Sequence, residues 1–385
     1  SMPTLKNPFP IPSSAATMAA EQPSHGRLKK CGLQWVDWSC YKEQKNELSK
    51  ETAQMEFDHY LALDWAQSNM AIAHMTRHSN EIETLDVKSD IEALKKYLAQ
   101  LKGKKILTFE EASPAQWLYT ELLGSVDKII VCEPYANHLL KSGPKNDRVD
   151  AIKLLKLLRA DMLKPVFHCT DEFINVRKVV SGYRDLILST VQLKNRRLAM
   201  FRSVGKRPGS ELRTEEERFV LEKLEALIAL HEEMRLSYES KFRDIRRGNE
   251  MIQNLESLPG IGLIGAVKIA ATVIDAKRFG HATAFWLYCG LQKYELISGG
   301  RSYGKRSPRY CRQLKCVFKT AALVCTKMSK SNSMKSYYEY LMNEKGFPEH
   351  QARHAISRRI ATLAIGVMKS GKPFEENLNE MKTAV

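Results

Sequence analysis

"FDHYLALDWAQSNMAIAHMTR" runs from Phe57 to Arg77, and it holds two apolar bursts separated by polar residues. The first burst, "FDHYLALDWAQ", alternates into an apolar strand, and the second, "NMAIAHMTR", reads as another, with turn-like residues between them. "EIETLDV" follows as a third strand. Beyond it the period changes. "SDIEALKKYLAQLKG" has a Ser or Asp to cap its start and a Gly to close it, so it is a helix. "KKILTFEEA" is a buried-type strand, "PAQWLYTELLG" a helix opening on proline, and "DKIIVCEP" a fifth strand. "SGPKNDRVDAIKLLKLL", Ser142 to Leu158, is an apolar-striped helix. Three consecutive strands and then alternating helix and strand specify an α/β domain, antiparallel on one side and parallel on the other. Its expected extent is residues 55–165.

On the amino-terminal side, residues 1–54 read as an extension. The initial Ser-Met has the form of a tag-cleavage scar. "NPFPIPSSAATMAAEQPSHG" is rich in Pro, Ser and Ala and has no periodicity, which predicts a flexible segment. "LQWVDWSCY" stands out there, because two tryptophans suggest a segment that docks on the protein's own body or on a partner.

On the other side, residues 166–255 carry apolar residues at helical steps. A Gly/Pro break at "GKRPGS" separates two long stretches, the second a charged helix running to about Leu255. In it Leu221, Leu224, Ile228, Tyr238, Phe242 and Ile245 fall on one heptad seam, interrupted by His231 and Arg235. An intramolecular helical hairpin and a coiled-coil dimer arm fit that periodicity equally. Residues 256–385 open with "LESLPGIGLIGAVKIAATV", two helices joined by a "PGIG" turn. This resembles a helix–hairpin–helix, in which backbone N–H groups around Gly260 and Gly262 hold a phosphate without reading bases. A tight glycine turn between packed helices is the plainer alternative. "SGGRSYGKRSPR" then reads as a basic, Gly-rich loop, and helices fill most of the remainder.

The chain has 385 residues, 43% of them apolar, and a formal net charge of +16. That balance favours a polyanionic partner, of which nucleic acid is the commonest. Its eight cysteines form no zinc-like CxxC pairs, so they read as reduced thiols. No apolar run is long enough to span a bilayer and no signal peptide is visible, so a soluble, cytoplasmic protein with no membrane partner is expected.

Against this basic background the carboxylates gather. Asp64 ends the first strand, Glu110 and Glu111 end the fourth, and Asp147 and Asp150 lie one turn apart at the start of a helix. Taken singly each has an ordinary role: a strand-end residue, a surface pair, helix caps meeting the dipole beside Lys145 and Arg148. Ligand sites in open α/β folds collect at the carboxyl ends of strands. Several carboxylates at one such edge repel one another unless a hard cation such as Mg²⁺ sits among them.

The motifs "LALDWAQ", "FEEAS", "NDRVDA", "LPGIG", "YCGL", "SGG" and "ARHAISRRIATLAIGVM" together resemble the DEDD insertion-sequence transposases, the bridge-RNA-guided serine recombinases related to pilin-gene invertases. The resemblance covers about residue 56 to the carboxyl terminus. It implies an RNase H-like domain of the RuvC type, a long helical or coiled-coil arm, and a mostly helical carboxy-terminal transposase domain with a helix–hairpin–helix. It places the family's acidic positions on Asp64, Glu111 (with Glu110 as the alternative), Asp147 and Asp150, holding Mg²⁺ or Mn²⁺. The catalytic serine falls on Ser298 in "ISGG", with Ser302 and Ser307 as competitors. Arg301, Lys305 and Arg306 would neutralise the phosphate. The implied partners are double-stranded DNA, a structured guide (bridge) RNA, and further copies of the chain, dimers pairing into a tetramer. The chain departs from the family pattern at Pro114, Gln292, Tyr310 and Lys315. Two other functions stay compatible with these residues: a metal-dependent nuclease or junction resolvase, and a non-catalytic nucleic-acid-binding protein.

Overall fold

The structure is a computed structural model, and it describes residues 57–134, 146–170, 172–328 and 332–376. The extension with its tryptophan pair, and Lys145, lie outside the described residues.

Strand β1 (His59–Trp65) pairs antiparallel with β2 (Asn69–Thr76), which pairs antiparallel with β3 (Glu83–Lys88). Helix α1 (Ile91–Gln100) then carries the chain to β4 (Lys105–Glu110), parallel to β1. Helix α2 (Ala115–Leu122) leads to β5 (Lys128–Cys132), parallel to β4, and α3 (Asp147–Arg159) follows. The sheet order is β3-β2-β1-β4-β5, the mixed arrangement read from the sequence. Strand alternation separates two cores. Leu61, Leu63, Met70, Ile72, Leu107 and Phe109 pack on Leu94 and Leu98 of α1 and on Leu118 and Leu122 of α2. Ala62, Ala71, Ala73 and Ile106 face the other way, onto Ala151, Leu154, Leu155 and Leu158 of α3. The alanines on that face let α3 lie close to the sheet.

The direction of α3 decides where its acidic first turn points. At its last turn, Arg159 donates to the carbonyls of Thr76 (3.1 Å), Arg77 (2.9 Å) and Ser79 (2.8 Å). Thr76 is the register partner of His59, at the start of β1. At the other end Arg148 reaches Thr84 of β3, whose partner Ala73 stands opposite Ala62. Helix α3 therefore runs against β1, and Asp147 and Asp150 lie towards the carboxyl end of that strand.

The next stretch forms an antiparallel pair within the chain, α4 (Phe173–Ser203) and α5 (Glu215–Arg247). Thr214 and Glu217 make a capping box that starts α5. Of the two residues that break the heptad seam, His231 is in use between the helices and Arg235 orders the glutamates beside it. His231 bonds to Thr190 (3.0 Å), and Arg235 joins Glu232 and Glu239, with Lys194 bridging back to Glu232 (2.7 Å). At Gly182 the helices come so close that a Cβ would meet the Tyr238 hydroxyl at 2.6 Å. The expected single helix to Leu255 is not formed. It stops at Gly248, and a separate helix, α6 (Glu250–Glu256), begins with Asn249 as its cap.

The remaining elements are α7 (Leu263–Val273), α8 (Ala282–Tyr288), β6 (Tyr294–Ser298), β7 (Arg301–Arg306), α9 (Arg312–Lys327), α10 (Ser333–Asn343) and α11 (Glu349–Ser370). Their core joins Ala266, Val267 and Ala270 of α7 to Phe285, Phe318, Ile356 and Ile360. Phe173, Val180 and Tyr183 of α4 and Phe242 of α5 enter the same core, so the arm is anchored at that end. The basic Gly-rich loop expected after Ser298 is instead a β-hairpin. Gly299 (φ 57°) and Gly300 (φ 75°) supply the two left-handed residues that a two-residue hairpin turn requires. Among the described residues no helix is long and apolar enough to cross a membrane.

Candidate active site and nucleic-acid interface

Asp64 stands next to last in β1 and, by alternation with Ala62, on the face that α3 covers. The parallel register pairs Leu63 with Phe109, which sets Asp64 level with Glu110. Glu110 alternates with Thr108 and Ile106, so it too points to the α3 face. Glu111 is one residue further on. Its N–H donates to the Cys132 carbonyl (2.9 Å), extending the ladder, and its carboxylate meets His168 Nε2 at 2.5 Å. The His168 side chain is 6% exposed, and its other ring nitrogen faces Gln116 Oε1 at 2.9 Å. Nothing in the spacing of Glu111 and His168 announces that contact. It comes from the strand-like return of the chain after α3.

The helix start is capped by Asn146, whose side chain accepts from the Arg148 N–H at 2.9 Å. Asp147 and Asp150 are therefore not the cap. They remain in the first turn, where the helix dipole favours negative charge. Asp150 pairs with Lys153 (3.3 Å), while Arg148 is turned away to Thr84 instead of neutralising the two aspartates. All these groups are hard oxygen donors, the chemistry that suits Mg²⁺ or Mn²⁺. They share one edge of the sheet without closing into a cage. Among the described residues no three His, Cys, Asp or Glu side chains stand close enough together to hold an ion.

Ser298 closes β6 opposite Arg301 and is exposed. The register fixes its neighbours. Tyr294 pairs with Arg306 and Glu295 with Lys305, but Ile297 pairs with Ser302, so β7 carries one extra residue near Gly304 (φ 93°). Paired residues share a face. Arg301 and Arg306 thus lie on the face of Ser298, and Lys305 lies on the other with Ser302. The Ser302 hydroxyl is engaged there, donating to Glu295 at 2.6 Å. Ser307 falls beyond the hairpin.

Gly260 and Gly262 line a groove of about 970 Å³ together with Arg184, Arg243, Lys268 and Arg312. Gly260 has φ 76° and packs against the Ala321 carbonyl of α9. Gly262 begins α7 with no side-chain cap, which leaves first-turn N–H groups facing the groove. Burial lowers the Lys268 pKa from its usual value. A groove with these groups suits a phosphate.

An ion pair links the two halves among the described residues. Arg309, three residues beyond β7, donates to Glu133, one residue beyond β5, at 2.9 Å. Glu133 also pairs with Lys164 (2.9 Å), and these two partners, Lys164 first, hold its carboxyl below the usual range.

Comparison with known proteins gives two family models that match successive parts of the chain. Residues 61–205 match a model described as "Transposase", that of the DEDD transposases of IS110 type. Residues 252–339 match one described as "Transposase IS116/IS110/IS902 family". A curated relative, the "Insertion element IS110 uncharacterized 43.6 kDa protein" of Streptomyces coelicolor, is 26% identical over 154 residues. That match takes in 40% of this chain and 37% of the relative's length.

Proposed function

The chain belongs to the IS110-type DEDD transposases, and from that premise we propose that it cuts and rejoins DNA through Ser298. The observation that carries this reading is the Arg309–Glu133 pair. It tethers the root of the serine hairpin to the carboxyl edge of the sheet, where Asp64, Glu110 and Glu111 lie.

In this scheme the Ser298 hydroxyl loses its proton and its oxygen attacks a backbone phosphorus. An Oγ–P bond forms, the bond to one deoxyribose oxygen breaks, and that oxygen leaves as a hydroxyl. Rejoining reverses the step with a hydroxyl of a new strand, which releases the serine. Arg301 and Arg306, on the serine's face, neutralise the phosphate as charge builds. Lys305, on the opposite face, steers the backbone from a distance. Asp64, Asp147, Asp150 and one of Glu111 or Glu110 would hold Mg²⁺ or Mn²⁺. Such an ion, when bound, supplies charge stabilisation to the phosphate and its leaving oxygen. The motif favours Glu111, whereas strand alternation favours Glu110, so single Gln variants of each decide between them.

The wider assembly in this reading is a dimer pairing into a tetramer around double-stranded DNA, with a structured guide RNA selecting the sites. Two features support it. The net charge of +16 suits two polyanions, and the arm leaves Leu188, Val191, Leu227 and Leu230 exposed. The test is a denaturing gel of protein incubated with DNA from its own locus, any copurifying RNA, and Mg²⁺. A DNA–protein adduct lost in Ser298→Ala and kept in Ser302→Ala is expected. Free DNA ends with no attached protein would overturn the serine scheme.

A further inference from the structure

Helices α9 and α11 enclose a cleft of about 700 Å³ far along the fold from the carboxylates. Its ionisable lining is all basic in type: Lys319, His350, Arg353, His354 and Arg358, with no Asp or Glu among the lining residues. Arg353 is paired outside it, to Glu349 at 2.8 Å. Arg358 has no such partner in the cleft. Its Nη1 donates to the neutral Gln292 Oε1 (3.2 Å), and its guanidinium lies 5.6 Å from the Trp286 ring centre. Burial lowers the Arg358 pKa. Burial also lowers that of His354, with further lowering from the positive charge of Arg358, Lys319 and Lys315. Placing like charges together, partly out of water, is unfavourable unless an anion joins them. The planar guanidinium fork matches two oxygens of a phosphate.

The cleft also sits at the root of the serine hairpin. Arg358 holds Gln292, and His354 hydrogen-bonds to the Leu291 backbone. Ser298 lies six residue steps beyond Gln292, at most about 20 Å of extended chain. One DNA strand advances about 3.4 Å per nucleotide, so about six nucleotides span that length.

We propose that this cleft holds a backbone phosphate of the DNA strand that reaches Ser298, within about six nucleotides of the cut. The inference rests on the DNA reading above, but it stands or falls on binding and not on chemistry. Lys319 supplies charge at the exposed mouth and Arg358 supplies the fork inside.

The test is fluorescence anisotropy of a 30-bp DNA duplex with the full chain over a salt series. The variants are Lys319→Gln, at the surface, and Arg358→Lys, which keeps the charge and loses the fork. Lys96→Gln, on α1, is the control. The expected result is that Lys319→Gln weakens binding several-fold and lowers the slope of log K against log salt by about 1. Arg358→Lys should weaken binding by about 10-fold with the slope retained, and the control should leave both unchanged. Affinity and slope equal to wild type in both cleft variants would overturn the inference, as would weakening confined to an RNA of the same length. Inorganic pyrophosphate that competes with the duplex in wild type but not in Arg358→Lys supports the cleft. Equal competition in both overturns it. A wild type that binds duplex yet forms no Ser298 adduct sinks the recombinase reading and leaves the cleft standing. A wild type with no salt-dependent duplex binding overturns both.

Discussion

Replacing Gly260 by Ala should unfasten the carboxy-terminal core, while the same change at Gly262, two residues away, should not. Gly260 has φ 76°, where an L side chain costs about 1–2 kcal/mol. Its new Cβ would also meet the Ala321 carbonyl oxygen, with the Ala321 carbon and Cα at 3.0 and 3.1 Å. These are backbone atoms in the middle of α9, so relief requires the helix to shift. Overpacking of that kind costs about 1–3 kcal/mol. The sum, about 2–5 kcal/mol, is a large part of the stability of an ordinary domain. Gly262 has φ −105° and open space where its Cβ would be. Its loss is that of a fair helix cap, about 1 kcal/mol or less. Amide hydrogen exchange read by mass spectrometry in α7 and α9 separates the two. At tenfold per 1.4 kcal/mol, Gly260→Ala should speed exchange there by at least about 30-fold, and Gly262→Ala by less than about 10-fold. Equal effects of the two variants, or no effect of Gly260→Ala, would refute the close approach of the PGIG turn to α9.

Three more outcomes follow from the geometry. Arg159→Leu leaves the carbonyls of Thr76, Arg77 and Ser79 without their donor and should destabilise the sheet domain by about 3 kcal/mol or more, seen as a lower urea midpoint and faster exchange in α3. His74, 6% exposed and beside His59 at 2.9 Å, has its pKa lowered by burial first and by His59 second. The unfolded chain protonates it near the usual 6.5, so its contribution is present above that pH and declines as the pH falls below it; His74→Asn should flatten the fall in urea midpoint between about pH 7 and about pH 5. Asp64→Asn should abolish Mg²⁺-dependent strand cleavage by about 100-fold or more and leave duplex affinity within about 3-fold, measured by gel and by anisotropy; unchanged cleavage would remove Asp64 from the site.

The sheet was legible because its signals are local. Apolar alternation in "LALDW" and "MAIAHM", an Asp at the start of α1 and a Pro at the start of α2 each decide an element without help from distant residues. The register of β1 with β4, read from the sequence only as parallel pairing, is what sets Asp64 level with Glu110 instead of Glu111. That could not be read from residue types, since both glutamates end the same strand. The hold of His168 on Glu111 was equally hidden, because 57 residues separate them. On the hairpin the sequence carried the turn in "SGG" but not the extra residue near Gly304, which exchanges the faces of Lys305 and Arg306. The cap at Asn146 was written in "NDRVD" and yielded to the more conspicuous aspartates. The arm's heptads fitted an internal partner and an external one alike, and the contacts of His231 with Thr190, Glu232 with Lys194 and Tyr238 with Gly182 distinguish the partner the chain itself provides.

The β6–β7 ribbon has a consequence for the chemistry of its serine. Every residue of β7 is exposed, and among the described residues β6 is half-buried at Tyr294 and exposed from there to Ser298. Two strands alone are marginally stable in water, whereas a reacting oxygen must be held to about half an ångström to act efficiently. Ser298 is therefore carried on an element that needs a surface to rest on, and in the proposed scheme a duplex lying along Arg301 and Arg306 provides one. In the proposed scheme such a serine works as a safety catch: blunt on the bare ribbon, and made sharp by the strand it is to cut.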